Sequence, residues 1–443
     1  MLTIPEEVRW VLHSLERRGW EAWCVGGCVR DLLLGAEPRD WDVATSALPE
    51  ETLGCFGAAA IPTGLRHGTV TVCRGTYRVE VTTFRCDGSY EDGRHPSSVR
   101  FTGSVREDLR RRDFTVNAMA LDLRGRLEDP WGGRADLAVG RLRCVGDADA
   151  RLREDALRIM RGLRFASTLG FSVEERTDRS LRENREALRC IAAERLREEL
   201  TGLLCGRHAA AVLRAYPEVV GVLVPEILPA VGFDQHNRHH CYDVWEHTLH
   251  ALEAIAPDPV LRYTMLFHDL GKPHTYTQDA AGVGHFYGHG KVSRTLAAAA
   301  MERLRFDHNS RDRILSLVEY HDIPLMCAEK SVRRALHRFG EEGLRQLLAV
   351  KRADNLAQHP DFRGRQREID EVEWLMDELL AAQACFSLKQ LKINGRDLLD
   401  LGFSGPAVGR TLEAFLDAVL SGTLPNERAA LLAAARKQLN ELG

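Results

Sequence analysis

The sequence predicts an α+β protein, a mixed α/β region over the first 145 of its 443 residues followed by an all-helical remainder. Two observations carry this. Short β-branched, alternating segments between residues 22 and 83 are punctuated by Gly and Pro, as half-buried strands require. From Leu152 the texture changes to long helical periods with few turn signals, continuing almost to the end. A chain of this length holds two to four domains. Breaks near 140–146, 206–217 and 359–370 divide it into 1–145, 146–206, 207–375 and 376–443.

In order, residues 5–18 read as an amphipathic helix, 23–25 as a strand, and Gly26-Gly27 as a close turn into a helix over 29–34. Further strands are expected at 42–44, 67–73 and 76–83. The hydrophobic fraction of 44% and charged fraction of 28% are ordinary for a globular protein, and no apolar run reaches the eighteen residues that suggest a membrane span. The start, MLTIPEEVRW, lacks a basic region followed by an apolar core, so it does not read as a signal peptide. Eleven cysteines, an odd number without CxxC spacing, read as reduced thiols and a cytoplasmic location. A net charge of −4 gives no global attraction to nucleic acid. Thirteen arginines between Arg151 and Arg207, with no lysine before Lys272, are either an interleaved solvated surface or a set of forks for phosphates and base edges.

Twelve residues after the glycine pair comes Arg39-Asp40-Trp41-Asp42. Side chains at i and i+2 of an extended segment share a face, so Asp40 and Asp42 can grip a divalent metal between them. Glu80, in the β-rich run Arg78 to Thr83, supplies a third carboxylate or else faces water on an edge strand. Gly26 and Gly27 let backbone approach a triphosphate, and Arg30 and Arg39 can complete the anion site. Together these favour phosphoryl or nucleotidyl transfer assisted by two metals. Residues 86–100 read as a mobile loop over this site or as a plain connector. In the run from Arg110 to Ala120, Arg111 and Arg112 can meet phosphates, Asp113 can fix an arginine or a ribose hydroxyl, and Asn117 can hold backbone or sugar. At 153–166, one helix would bring Glu154, Arg158 and Arg161 to one side, with Asp155 and Arg164 nearby. A fixed Asp and Arg can read the edge of an incoming base, or they can be intrahelical ion pairs only.

Gly26-Gly27, Arg39-Asp40-Trp41-Asp42, Glu80 to Arg85, Arg111 to Ala118 and Glu154 to Arg158, in this order, resemble the bacterial (class II) CCA-adding tRNA nucleotidyltransferases and their poly(A) polymerase relatives, over at least residues 20–205. The resemblance implies a β-polymerase-like head that binds Mg²⁺ and nucleotide, a helical neck that selects CTP or ATP, and a body and tail that hold tRNA. Asp40 and Asp42 would be metal ligands and Glu80 the third carboxylate. Arg111 and Asp113 would serve triphosphate, ribose and the CTP-to-ATP switch. Asp155 and Arg158 would face the base, with Glu154 orienting Arg158. Asp87-Gly88, Tyr90, Asp92 and Arg94 through Pro96 match the family's flexible loop, while Cys86 departs mildly from it.

In the helical half, His247, then His268-Asp269 followed by Gly271-Lys272, then His289, His321 and Asp354 resemble the HD phosphohydrolase superfamily. Imidazoles and carboxylates in this arrangement can bind one or two ions, Mg²⁺ or a transition metal, and generate hydroxide. The readings are a working phosphohydrolase, a metal site without turnover, or a fold that holds RNA. His289 and His321 are expected as ligands of a second metal, His239 and His240 as fold or substrate contacts. Leu391 to Leu398 begins what resembles the family's tail, where Lys392, Arg396 and Arg410 can touch RNA phosphates. The preferred activity is template-independent CCA addition to tRNA from CTP and ATP. CC-only, A-only and poly(A) addition, an HD hydrolase as the main activity, and a noncatalytic RNA-binding protein are the alternatives. The oligomeric state is open.

Overall fold

The computed structural model describes residues 3–88, 99–237 and 241–442. The chain divides into two compact units, Met1–Leu228 with Glu302–Arg305, and Pro229–Met301 with Phe306–Gly443.

The first unit begins with α1 (Glu6–Glu16), whose Val8, Val11, Leu12 and Leu15 recur at helical spacing and are buried. Its sheet has seven strands: β1 (Ala22–Val25), β2 (Trp41–Thr45), β3 (Ala60–Gly64), β4 (Thr69–Arg74), β5 (Tyr77–Thr83), and two short ones, β8 (Ala120–Leu121) and β9 (Leu127–Glu128). Their order is β3-β4-β5-β2-β1-β8-β9. Only β2 and β5 run parallel, with Asp42 registered against Glu80. A separate antiparallel pair, β6 (Arg85–Asp87) and β7 (Val99–Phe101), leads into and out of 89–98. Tyr90, Asp92 and Arg94 through Pro96 of the expected loop therefore lie outside the described residues. The strand expected at 67–73 starts at Thr69, because 65–67 form a 3₁₀ turn closed by Gly68 at φ +80°.

Around this sheet lie α2 (Gly27–Leu33), α3 (Pro49–Phe56), α4 (Val105–Arg110) and α5 (Gly133–Ala138). Val105 and Leu109 of α4 pack into a core with Trp23, Val25, Ala44, Phe84 and Ala120. That packing fixes the start of the Arg110–Ala120 run against the strands that carry the carboxylates. Six helices follow: α6 (Ala148–Glu154), α7 (Leu157–Leu169), α8 (Glu175–Glu183), α9 (Ala193–Leu204), α10 (Ala209–Ala215) and α11 (Pro217–Val220). The single helix expected through 153–166 is two. The backbone leaves helical geometry at Asp155 (φ −143°, ψ +103°), which ends α6. Asp155 Oδ1 then accepts from Leu157 N at 3.0 Å and restarts the chain as α7, the competition with helix that short acidic side chains offer. α7 packs along α9 and against α10, so the expected boundary at 206 falls inside this unit.

The second unit is helical: α12 (Val244–Ala254), α13 (Pro259–Phe267), α14 (Lys272–Thr275), α15 (His289–Arg303), α16 (His308–Tyr320), α17 (Glu329–Leu356), α18 (Arg365–Ala381), α19 (Gly395–Leu401), α20 (Pro406–Leu420) and α21 (Arg428–Leu442). α17 bends at Gly340, whose φ of +67° interrupts the helix. Its later half pairs with α18 through Leu344, Leu347, Leu348, Ile369, Val372 and Met376. Leu398, Phe403, Leu416, Val419 and Leu431 make a separate small core for the last three helices. Among the described residues no helix is long and apolar enough to cross a membrane.

Candidate active site

A cavity of about 1160 Å³ opens in the first unit. Gly26, Gly27, Arg30, Arg39, Asp40, Asp42, Arg111, Arg112, Asp113, Asn117, Asp155, Arg158, Arg161 and Arg164 all border it, which brings together most of the head and neck residues singled out from the sequence. Glu80 does not line it, but it sits beside Asp42 on the parallel neighbour strand, where registered side chains share a face.

Gly26 lies at φ +77°, and a Cβ there would stand 2.7 Å from Arg112 Nη1 and 3.8 Å from Asp42 Oδ2. The backbone conformation requires glycine, and a side chain there would also displace the Arg112 guanidinium. Burial raises the pKa of Asp42; Arg112 opposes this, and the carboxylates of Glu80 and Asp40 add to it. Two further carboxylates that make ionisation of Asp42 costlier, with one arginine nearby, complete a donor set suited to a hard divalent cation. Asp40, Asp42 and Glu80 can hold it.

The arginines that face these acids are held by a residue that the sequence reading passed over. Asp108, on α4, is fully buried. Its Oδ1 accepts from Arg111 Nε at 3.0 Å and Nη2 at 2.8 Å, and from the backbone N–H of Arg85 at 3.3 Å. Its Oδ2 accepts from Arg112 Nη2 at 3.4 Å. Burial works against the charge, yet Arg111 and Arg112 hold the Asp108 carboxyl below its usual range. The spacings i,i+3 and i,i+4 from Asp108 to the two arginines were the available signal.

Asp113 ties the Arg110–Ala120 run to α7. Its Oδ2 accepts from Arg161 Nε at 2.8 Å, and its Oδ1 from Phe114 N at 2.8 Å and Asn117 Nδ2 at 3.4 Å. Burial opposes ionisation, but Arg161 and Arg158 bring its pKa down to about 2. Asn117 Oδ1 in turn accepts from Arg30 Nη1 at 2.8 Å. Arg158 is buried, donating from Nη1 to Glu154 Oε2 at 2.6 Å and to Arg151 O at 2.8 Å, and from Nη2 to Arg111 O at 3.1 Å. Arg164 donates to Glu199 Oε2 at 2.5 Å. Glu199, on α9, was also missed, because its pairing spans two helices. The guanidiniums of Arg30, Arg161 and Arg164 lie 5.3, 5.4 and 4.4 Å from the centre of the Phe165 ring, whose face lets like charges gather.

The second unit holds its own cluster. His247, His268, Asp269 and Asp354 form one group of possible metal ligands, and Asp269, His289 and His321 another, sharing Asp269. Four elements and one loop converge: α12 carries His247, α17 carries Asp354, His289 opens α15, His321 follows α16 and His268-Asp269 follows α13. The loop packs so closely on α15 that a Cβ on Gly271 would stand 2.4 Å from His289 O. The Nδ1 atoms of His268, His289 and His321 lie 2.7, 2.9 and 2.7 Å from the carbonyls of Met265, Phe286 and Val318. Those contacts assign the proton to Nδ1 and leave Nε2 pointing inward. Yet His268 and His247 meet Nε2 to Nε2 at 3.3 Å, and His289 and His321 at 3.2 Å. Facing lone pairs require a proton or a cation between them. Asp269 Oδ2 lies 3.2 Å from His268 Nε2, 3.4 Å from His247 Nε2 and 2.7 Å from Lys272 Nζ, and Oδ1 lies 3.4 and 3.5 Å from the Nε2 atoms of His289 and His321. Burial opposes its charge, but His268 and Lys272 hold it well below the usual carboxylate range. His236 and His285 stay outside both groups; His285 pairs with Asp279 at 3.0 Å. His239 and His240 lie outside the described residues. Lys392, Arg396 and Arg410 are exposed.

Carboxylates on neighbouring parallel strands, a glycine turn at the mouth and a deep arginine-lined cavity define the first unit as a nucleotidyltransferase. The model of the Poly A polymerase head domain matches residues 22–143. A domain described as the probable RNA and SrmB-binding site of polymerase A matches 170–218, and putative tRNA nucleotidyltransferase domain 2 matches 288–435. The CCA-adding enzyme of Geobacillus thermodenitrificans is 35% identical over 430 residues, covering 94% of this chain and 93% of that protein. That of Lactobacillus helveticus is 47% identical over 206 residues, a match spanning 46% of this chain and about half, 51%, of that protein. The crystal structure of the Bacillus stearothermophilus CCA-adding enzyme in complex with CTP aligns with a TM-score of 0.73 at 29% identity, covering 99% of each chain. The chain belongs to the CCA-adding enzyme family.

Proposed function

We propose that this enzyme completes the 3′ ends of tRNA, adding cytidine, cytidine and adenosine from CTP and ATP without a nucleic-acid template and releasing pyrophosphate. One observation carries the reading: the Asp40 and Asp42 carboxylates and the side chains of Asp155, Arg158 and Arg161 line one cavity, so transfer chemistry and base choice share a chamber. The terminal 3′-hydroxyl oxygen bonds to the α-phosphorus of the nucleotide as the bond to the β-phosphate breaks. Asp40, Asp42 and Glu80 would hold Mg²⁺, which when bound neutralises the phosphoryl oxygens and sharpens the hydroxyl. Arg111 and Arg112, fixed by Asp108, take the triphosphate. Asp113 keeps Arg161 in place, and Asn117 with Arg30 sets the sugar. Asp155 and Arg158 read the base edge, with Glu154 locking Arg158. Gly26 and Gly27 admit the phosphates beside Arg39. The proposed head, neck, body and tail are 1–145, 146–206, 207–375 and 376–443, with 207–228 packed in the first compact unit, and the exposed Lys392, Arg396 and Arg410 of the tail hold RNA phosphates. Eleven free cysteines support a cytoplasmic location.

A specific observation favours a second activity. The paired Nε2 atoms and the carboxylate of Asp269 shared by both groups support an HD-type metal centre at His247, His268, Asp269, His289, His321 and Asp354. Mg²⁺ or a transition metal there would supply hydroxide for phosphate ester hydrolysis.

The test is extension of tRNA transcripts lacking their last three, two or one nucleotides, given CTP, ATP or both, with products read at single-nucleotide resolution. Growth that stops at CCA is expected. Stopping after two cytidines, adding only one adenosine, or continuing with adenosines assigns a CC-adding, A-adding or poly(A) relative. No extension, with phosphate release instead, overturns the reading and moves the main activity to the second unit.

A further inference from the structure

Two cysteines bracket the glycine turn of the first unit. Strand alternation sends Trp23 and Val25 of β1 into the core with Val105 and Leu109 of α4 and turns Cys24 to the opposite face. There Cys24 meets Cys28, the second residue of α2, and the two thiols share a hydrogen bond. Both are free and buried. Cys28 Sγ also donates to the carbonyls of Val25 at 3.2 Å and Asp42 at 3.7 Å. The pair therefore touches the turn on one side and the strand that carries Asp42 on the other. Cys28 borders the cavity, which Cys24 does not. A water-sized oxidant entering that cavity meets Cys28 first.

We propose that Cys24 and Cys28 are an oxidation site, forming a reversible disulfide that stops nucleotide addition when a peroxide is present. The Cys28 sulfur bonds to one peroxide oxygen as the O–O bond breaks, giving a sulfenic acid and water. The Cys24 sulfur then bonds to the Cys28 sulfur as the S–O bond breaks, and a second water leaves. Two thiols and hydrogen peroxide thus give one disulfide and two waters, with the thiols oxidised by two electrons and the peroxide reduced by two. A disulfide holds its sulfurs about 2.05 Å apart, closer than thiols that share a hydrogen bond, so the start of α2 is drawn towards β1. Gly27 opens α2 and moves with it. So does Arg30, whose Nη1 donates to Asn117 Oδ1 at 2.8 Å. The bond also closes a ring around Gly26, the residue at φ +77° that stands beside Arg112 and Asp42. Oxidation in this way displaces the backbone that admits the phosphates and the arginine that holds Asn117, while the acids of the cavity stay unmodified.

The experiment treats the full, reduced chain with hydrogen peroxide and measures cytidine addition to tRNA lacking its last three nucleotides, against an untreated sample that sets the reference rate. Free thiols are then alkylated and the protein is cut with trypsin, which releases residues 19–30 as one peptide holding Cys24 and Cys28 and no other cysteine. After treatment this peptide is expected to be unalkylated and lighter by two hydrogens. Addition should fall by about 100-fold, as a displacement of about 1 Å at a reacting site can cause, and dithiothreitol should restore both mass and rate. Saturating CTP, by filling the cavity at Cys28, should slow formation of the bond. Cys24→Ala should keep the untreated rate and resist the loss, with Cys24→Val as the second variant where alanine lowers the melting temperature. A peptide still fully alkylated after treatment overturns the inference. So does a disulfide formed at an unchanged rate of addition, or a loss of rate in the Cys24 variants equal to that of the wild type.

Discussion

The two units meet the problem of buried charge in opposite ways. In the first, the arginines around the cavity are each held by an acid: Arg111 and Arg112 by Asp108, Arg161 by Asp113, Arg158 by Glu154, and Arg164 by Glu199. Asp40, Asp42 and Glu80 stand apart as a group with a carboxylate excess. In the second, four imidazoles and Asp354 gather around one shared carboxylate, Asp269, with no arginine among them. The first arrangement fixes a set of forks around a wide chamber and leaves one place for a cation. The second leaves a buried nest of imidazoles around Asp269, with Lys272 on one of its oxygens. The arginine-lined chamber and the histidine nest are thus distinguishable by what satisfies their acids.

Removing one acid from each place breaks the comparison most sharply. Asp42→Ala is expected to lower nucleotide addition by about 10³-fold or more, as loss of a metal-bearing carboxylate does, while Mn²⁺ retained by the second unit stays the same. Reciprocally, Asp269→Asn removes the ligand common to both histidine groups. It should abolish the rise in melting temperature that Mn²⁺ gives the second unit, with CCA addition within about twofold of the parent. If either substitution moves both readouts, the sites are coupled and the contrast fails.

Asp108→Asn sharpens the account of the first unit. It keeps the side-chain shape but weakens the hold on Arg111 and Arg112, so KM for nucleotide should rise about tenfold and stability fall by about 1 to 3 kcal/mol. A stability loss with unchanged KM would make Asp108 a support for α4 only. The smallest effect is on acid stability. The folded pKa of Asp113, about 2, lies below the ordinary value of 3.8. Its contribution is therefore complete above the unfolded value and disappears as pH falls through the folded one. Comparing wild type with Asp113→Asn in denaturant titrations from about pH 5 to pH 2 should show about 2 kcal/mol more acid sensitivity in the wild type.

Much of the site was legible because its signals are local. Asp40 and Asp42 are two residues apart, and the glycine pair precedes them by a fixed short span. The histidine–aspartate pair announces itself as a dipeptide. Glu80 was legible as a third acid, but its place beside Asp42 comes from strand register, which no local pattern encodes. Asp108 looked like one acid among the charges of α4, and only burial reveals it as the anchor of two arginines. The break at Asp155 was hidden because the flanking segments share helical periodicity, while the Asx-type bond that interrupts them involves one residue. β3, β8 and β9 were not anticipated; the last two are two-residue strands that exist through pairing rather than propensity.

The central claim is that side chains of this protein, not a template strand, choose the base. Asp155→Asn tests it most directly, because asparagine can keep the bond from Leu157 N that starts α7 and changes the carboxylate acceptor into an amide. The measurement is single-turnover addition to tRNA lacking its last three nucleotides, with CTP and ATP in competition. A change of about 10- to 100-fold in the CTP-to-ATP ratio, with the melting temperature unchanged, is the expected result, in keeping with about 1 to 3 kcal/mol for a lost base contact. An unchanged ratio at full or reduced rate would contradict the claim.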